Sequence, residues 1–518
     1  MPQRFNAAAW LVDRNVDEGR GGNVAVVYRD QQLTYTNLLE QVWVATNGLR
    51  ALGVRPEERV AMIVNDEPAF VAWFLGALRM GAVPVPLSTM LTAKDLGFVV
   101  DDARARLTVV SPAYVEHLPT IADLAPELTA AVIVGDAGAE AAECRVPVHS
   151  AGEFDDGTEA PVATTWDESP GFWLYTSGTT GKPKGAMHRH IDLKSTADTY
   201  ARSVLNIGEA DRSYSVAKLF FAYGLGGSLT FAFSVGGTAI LNPDRPTPAS
   251  VAEILATHQP TVFYSLPGFC AAMLDAEVAP EAFASVRVTI TAGETLPAAL
   301  HDRFRERFGV PVLDGIGTTE ALHIFLSNHL GAERPGTSGT PVDGYEAKLL
   351  DEADLEVNES DTPGFLHIKG ESIATGYWCR AAATRQAFRG EWLRTGDVYT
   401  RSADGYYTFL GRNHDMIKPG GIWVSPAEVE NALVKHDDVL EAAVVGARDA
   451  AGLETVVAFV VPRAGHSIDA DAIERHCRTE MAAFKRPRRV IPVDGLPKTA
   501  TGKIRRFVLR ELLAVEDI

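Results

Sequence analysis

Through its first two-thirds the chain alternates stretches of helically spaced apolar residues with short, uninterrupted apolar runs. Runs of that kind suit strands buried on both faces, and such strands belong to parallel sheets joined by crossover helices. Residues 37–49 open on a cap-like Asn37-x-x-Glu40 and carry Leu39, Val42 and Leu49 at helical spacing, which predicts a helix. The run RVAMIV at 59–64 predicts the buried strand that follows, and 69–79 the next helix. Residues 132–134, 262–264 and 288–290 are further predicted strands, and 150–170 a polar loop.

A second regime begins near Gly411. Segments shorten, with strands predicted at 442–445 and 456–461 and helices at 426–435 and 469–480. The expectation is an α/β chain: a large N-terminal domain of parallel-rich sheets with helices, then a smaller α+β domain of roughly 100 residues. From Lys485 to Arg510 the small domain is strongly basic, with Asp494 the only acid before Glu511. That segment is either a solvated cationic face or a docking surface for phosphates.

Charge and composition exclude several classes of function. A net charge of −19 argues against non-specific nucleic-acid or membrane-surface binding. Residues 219–241 carry no charge and are long enough to span a bilayer, but their five glycines favour a buried helix running into a buried strand. The first six residues lack the apolar core of a signal peptide. Four scattered cysteines form no C-x-x-C pair, so a reduced, cytoplasmic protein without a zinc site is expected.

The chemistry concentrates in YTSGTTGKPKG at 175–185, which follows the apolar Phe172-Trp173-Leu174 and is therefore expected in the turn after a strand. Glycines let backbone N–H groups converge on an anion, while Thr176, Ser177, Thr179 and Thr180 add hydroxyls and Lys182 and Lys184 add charge. The string is not a Walker A loop. Aligned on Gly181-Lys182, that template would need Gly where Thr176 stands and Ser or Thr where Pro183 stands.

This eleven-residue string resembles the phosphate loop of the adenylate-forming superfamily, and further motifs follow in order: DGIGTTE at 314–320, GFLHIKGESIATGYW at 364–378 and WLRTGD at 392–397. YYTFLGRNHDMIKPGGIWVSPAEVE at 406–430 and PKTATGKIRR at 497–506 complete the set. The resemblance implies ATP, Mg²⁺ and CoA as co-substrates and cofactor, with a carboxylate first adenylated and then passed to a thiol. It implies an adenylation domain over 1–411, a hinge at 412–416 and a mobile domain over 417–518 carrying the catalytic lysine.

Residue by residue, it implies that Thr176, Ser177, Gly178, Thr179, Thr180 and Lys184 hold the β- and γ-phosphates. Thr319 would touch the α-phosphate and Glu320 would hold the metal; Asp397 and Arg412 would bind the ribose hydroxyls. Gly293, Glu294, Asp314, Gly315, Ile316 and Gly317 would frame adenine, with an aliphatic side chain at Ile316 where many relatives have an aromatic ring. Lys503 would bridge carboxylate and α-phosphate as a fixed charge. Lys418 is assigned to the thiolation step, with Gly420 and Gly421 admitting the pantetheine arm. His414 stands where relatives commonly have the hinge Asp.

The strings KLFFAYGLG at 218–226 and ALHIFLSN at 321–328 resemble those of benzoate–CoA ligases and their aryl relatives. By that match Phe221, Ala222, Tyr223, Gly315, His323 and Ile324 line a slot for one aromatic ring. From the residues alone these aromatics are equally an ordinary core. No charge is placed to demand a para or meta substituent, whereas Tyr223 and His323 could bond an ortho amino or hydroxyl group. Benzoate is the first expectation and anthranilate the alternative, with hydroxybenzoates third. A free-standing carrier protein is the alternative thiol, since the fifteen residues after Lys503 leave no room for a fused one. A homodimer is compatible with the chain.

Overall fold

The computed structural model describes residues 2–135, 143–177, 183–419, 423–448, 453–498 and 504–516. They pack as two compact units. The first holds the chain to Pro335 with Pro341–Glu346 and Lys369–Leu393; the second holds Gly336–Thr340, Ala347–Ile368 and the chain from Arg394 onward. This division is one of packing, whereas the hinge expected at 412–416 concerns movement.

Two parallel-rich sheets organise the first unit, as the alternation predicts. One runs Val83–Pro86, Arg59–Ile63, Ala105–Val110, Ala130–Ile133, Val148–Ser150, parallel throughout. The other runs from Ile324–Ser327 through Val312–Gly317, Val288–Thr291, Val262–Ser265, Arg212–Ser215, Thr238–Leu241 and Val24–Tyr28 to Gln31–Thr34. Its centre is parallel, while Val24–Tyr28 with Gln31–Thr34 and Val312–Gly317 with Ile324–Ser327 pair antiparallel. Crossover helices such as Pro68–Met80 are buried almost all round, from Phe70 to Met80, because they sit inside the largest apolar core.

Two expectations meet the structure differently. The uncharged stretch 219–241 is helical from 222 to 235 and then enters the strand Thr238–Leu241, with 224–234 buried, so its apolar character serves the core. Among the described residues no helix is long and apolar enough to cross a membrane. The cap at Asn37 is a correction. The helix runs Tyr35–Ala51 and its cap is Thr34, whose hydroxyl accepts the Asn37 N–H at 3.2 Å while Asn37 Oδ1 takes the Thr34 hydroxyl proton at 2.8 Å. Starting two residues earlier buries Tyr35, and the true capping box uses Asn as its third residue.

The second unit carries the predicted α+β elements. Val439–Arg448 and Glu454–Pro462 pair antiparallel, Arg489–Pro492 joins in parallel, and helices Pro426–Leu433 and Ala470–Glu480 accompany them. Its basic segment is internally matched: Lys485 pairs with Glu428, Lys498 with Glu441, Arg506 with Glu430 and Arg510 with Asp415. Those cations are therefore engaged by the unit's own carboxylates.

Candidate active site

In the first unit, strands Pro170–Ser177 and Pro183–Arg189 form an antiparallel hairpin, with Thr176 opposite Lys184 and Ser177 opposite Pro183. The phosphate string thus begins at the end of one strand and finishes at the start of its antiparallel partner. Gly178, Thr179 and Thr180 lie outside the described residues, as do Lys182, Gly420, Gly421 and Lys503. Tyr175, the first residue of the string, anchors the outgoing arm by donating its hydroxyl to Asp102 Oδ2 at 2.8 Å.

The returning arm is tied to DGIGTTE. His188 Nε2 bonds the Thr319 carbonyl at 2.8 Å while Nδ1 meets Asp192 at 3.0 Å, all of it buried or nearly so. Segment 374–378 lies along the same arm: Met187 N–H donates to the Gly376 carbonyl, Trp378 N–H to that of Gly185, and Ala374 N–H to that of Glu320 at 2.8 Å. Tyr377 donates its hydroxyl to Glu320 Oε1 at 2.6 Å, and Lys184 Nζ sits 4.7 Å from the Tyr377 ring centre. Sequence reading gave His188 and Tyr377 no role, although Tyr377 lies inside a quoted motif.

Glu320 closes a short helical turn capped by the Thr318 hydroxyl, which accepts the Ala321 N–H at 3.1 Å. Leu322 then takes φ 68°, a conformation that costs a bulky residue roughly 1–3 kcal/mol. Surrounding bonds hold that turn: Leu322 N–H to the Thr319 carbonyl, His323 N–H to Ala321, and the Ser372 hydroxyl to Ala321 at 2.7 Å. Glu320 lies on one side of the turn, and His323 and Ile324 lie on the other.

Asp314 leads into this turn from the strand Val312–Gly317. Thr291 donates to its Oδ1 at 2.8 Å, yet burial pushes its pKa up to about 7. The bond ties DGIGTTE to the segment that leads into Gly293 and Glu294, both of which are exposed beyond the strand Val288–Thr291. Ile316 is half-buried, so it is not ordinary core. Gly317 is required by close approach: a Cβ there would lie 2.5 Å from the His323 carbonyl oxygen.

On the other side of Leu322, His323 is 2% exposed among rings, with centroids 4.5 Å from Phe231, 5.1 Å from Tyr200 and 5.5 Å from Tyr223. Both ring nitrogens are buried and neither makes a hydrogen bond among the described residues. Burial pushes its pKa down to about 3, against a smaller opposing pull from the Tyr223 backbone. The imidazole rests on the helix backbone, since a Cβ at Gly226 would lie 2.4 Å from its Cδ2. The Tyr223 hydroxyl faces two carbonyls, Ser265 at 3.2 Å and Ile290 at 3.1 Å, so its one proton is engaged. It can accept from an ortho amino group but has no proton left to donate. Phe221, Ala222 and Tyr223 are part-buried at the start of this helical stretch, and Ile324 is fully buried.

The second unit holds its candidates on other elements. Asp397 and Arg412 face each other across the antiparallel pair Trp392–Arg401 and Tyr407–Arg412, and Arg412 Nε meets Asp397 Oδ1 at 3.0 Å. Asp397 is 1% exposed, and the guanidinium supports its charge there. Lys418 pairs with Glu352 and lies 3.8 Å from the Trp423 ring centre, lining a cavity of about 320 Å³ with Phe365 and Val398. His414 Nε2 lies 3.7 Å from Asp415, which is itself bound by Arg510.

Among the described residues no three metal-binding side chains converge. A lone carboxylate such as Glu320 suits a magnesium ion that shares its coordination with substrate phosphates, because Mg²⁺ is commonly held by one or two carboxylates plus phosphate oxygens.

Comparison with known proteins places the whole chain. The model of the AMP-binding enzyme family matches residues 12–378, and that of the AMP-binding enzyme C-terminal domain matches 428–503. The chain is 44% identical to a benzoate–CoA ligase of Thauera aromatica, over 98% of this chain and 96% of the relative. A benzoate CoA ligase structure from Burkholderia xenovorans LB400 superposes with a TM-score of 0.88 at 42% identity, covering 98% of this chain and all of that one. An anthranilate CoA ligase solved with anthranoyl-AMP gives 0.93 at 37% identity, covering 100% and 99%. The first of these spans takes in both the hairpin strands and the braced TTE turn, and the chain belongs to the AMP-binding enzyme family.

Proposed function

We propose that this chain is an aryl-acid–CoA ligase that adenylates benzoate or an ortho-substituted benzoate with ATP, releases pyrophosphate, and passes the aroyl group to the thiol of CoA. The observation that carries the reading is the strained turn at Leu322. It joins a carboxylate suited to metal-bound phosphate, Glu320, to the cluster of rings around His323, so one five-residue segment serves both halves of an aryl adenylate.

In this reading the hairpin residues Thr176, Ser177, Gly178, Thr179, Thr180 and Lys184 hold the β- and γ-phosphates, and Thr319 contacts the α-phosphate. Asp397 and Arg412 take the ribose hydroxyls, while the segments at Gly293 and Asp314 to Gly317 frame adenine. Glu320 holds Mg²⁺, which when bound supplies positive charge against the phosphate oxygens. Lys503, at the end of the C-terminal family match, bridges the acid's carboxylate and the α-phosphate as a charge, not as a base. A hinge at 412–416 then exchanges it for Lys418, Gly420 and Gly421, which serve the thiolation step. The four cysteines are free and the expected compartment is the cytoplasm.

Benzoate is favoured by the sequence likeness. Anthranilate is the second reading, favoured by the structural likeness. Mass spectrometry of products from a panel of substituted benzoates with ATP, Mg²⁺ and CoA tests both. The expected products are aroyl-CoA, AMP and pyrophosphate, and the ratio of kcat/KM for 2-aminobenzoate and benzoate decides between the acids. If no aromatic acid yields pyrophosphate, the proposal fails.

A further inference from the structure

We propose that Tyr377 is a positioning residue that couples the phosphate hairpin to the metal-holding carboxylate. The inference rests on the roles proposed above for Lys184 and Glu320.

The geometry is specific. The hydroxyl of Tyr377 donates to the side chain of Glu320, at 2.6 Å, rather than to a backbone carbonyl. Its ring presents a face to Lys184 Nζ at 4.7 Å, within the range where an ammonium is attracted by the ring quadrupole. The ring is 7% exposed and is fixed edge-on by Phe388 at 5.3 Å, and its N–H is bonded to the Thr384 hydroxyl at 3.0 Å. Its backbone bridges to Ala186 on the returning arm of the hairpin. Ala374, in the same segment, bonds the Glu320 carbonyl. A single rigid side chain therefore sets the orientation of a carboxylate and the height of a lysine that approach the same triphosphate.

A bond from Tyr377 to Oε1 restricts the orientation of the Glu320 carboxylate. Such supporting bonds to ligating carboxylates are worth about 10–100-fold in metal affinity. The two functions of the side chain separate by substitution. Tyr377→Phe removes the hydroxyl and keeps the ring; Tyr377→Leu removes both.

The test measures ATP binding by calorimetry in EDTA and Mn²⁺ binding to the ATP complex by electron paramagnetic resonance. Tyr377→Phe is expected to weaken Mn²⁺ about tenfold and to leave metal-free ATP binding within about twofold. Tyr377→Leu is expected to weaken both. A Phe variant that binds Mn²⁺ as the parent does overturns the proposal, as does a Leu variant that leaves metal-free ATP binding intact. Glu320→Gln and Lys184→Met, measured alongside, tell the failures apart. If Glu320→Gln leaves Mn²⁺ binding unchanged, the assignment of Glu320 itself is wrong and the coupling falls with it. If Glu320→Gln weakens Mn²⁺ and Tyr377→Phe does not, only the coupling is wrong.

Discussion

On one side of Leu322 stands Glu320, hydrogen-bonded by Tyr377 and attached through its neighbour Thr319 to His188 and Asp192. On the other side stands His323, surrounded by Tyr200, Tyr223 and Phe231, with both ring nitrogens unbonded. The two residues are three apart in sequence and are built into opposite environments. The side proposed for phosphate is a hydrogen-bonded polar lattice. The side proposed for the acid is a close-packed cluster of rings, which on that proposal selects by shape and by the cost of burying polar groups without partners. Affinity for the nucleotide and choice of the acid should therefore respond to different substitutions.

The largest break is expected from Gly226→Ala. The added methyl would meet His323 at 2.4 Å and force the ring to shift, which on the proposed function disturbs the acid site. Misplacement on the scale of 1 Å costs about 100-fold in rate, so kcat/KM for the aryl acid should fall by that order. Pyrophosphate release, with acid or ATP varied in turn, checks that KM for ATP barely moves.

His323→Ala should be milder, raising KM for the acid roughly tenfold and leaving that for ATP nearly unchanged. Parallel losses in both would remove His323 from the pocket.

The smallest effect sharpens the contrast through pH. Burial lowers the folded pKa of His323 to about 3, so between that value and its unfolded value of about 6.5 the unfolded chain binds the extra proton. Stability from this site is complete above about 6.5 and is lost as pH falls. Asp314 has the opposite sign, with a folded pKa of about 7 against an unfolded value near 3.9. Its share is complete below about 4 and is lost as pH rises to about 7. Each slope is about 1.4 kcal/mol per pH unit, and they oppose one another over roughly pH 4–6.5. Thermal melting across that range should show Asp314→Asn becoming relatively more stable as pH rises, and His323→Ala as pH falls. Equal profiles would refute the assigned burial of both groups.

How far the sequence carries is seen at particular residues. The buried strands at 59–63, 262–265 and 288–291 were legible because parallel strands covered on both faces need continuous apolar runs. The cap at Thr34 was not, because Asn37 looks like a cap and its position as the third residue depends on Tyr35 finding the core. For the site, motif order located Glu320, Asp397 and the hairpin. The supporting bonds of Tyr377, His188 and Asp102 join residues 57, 131 and 73 positions apart, and no local pattern encodes such separations.

The seating of His323 on the Gly226 backbone bears on redesign. A main chain within a buried helix cannot recede to make room, so this wall of the proposed acid site is inelastic. A bulkier aromatic acid would have to be accommodated by shortening the imidazole itself, and enlarging the helix face opposite would achieve nothing.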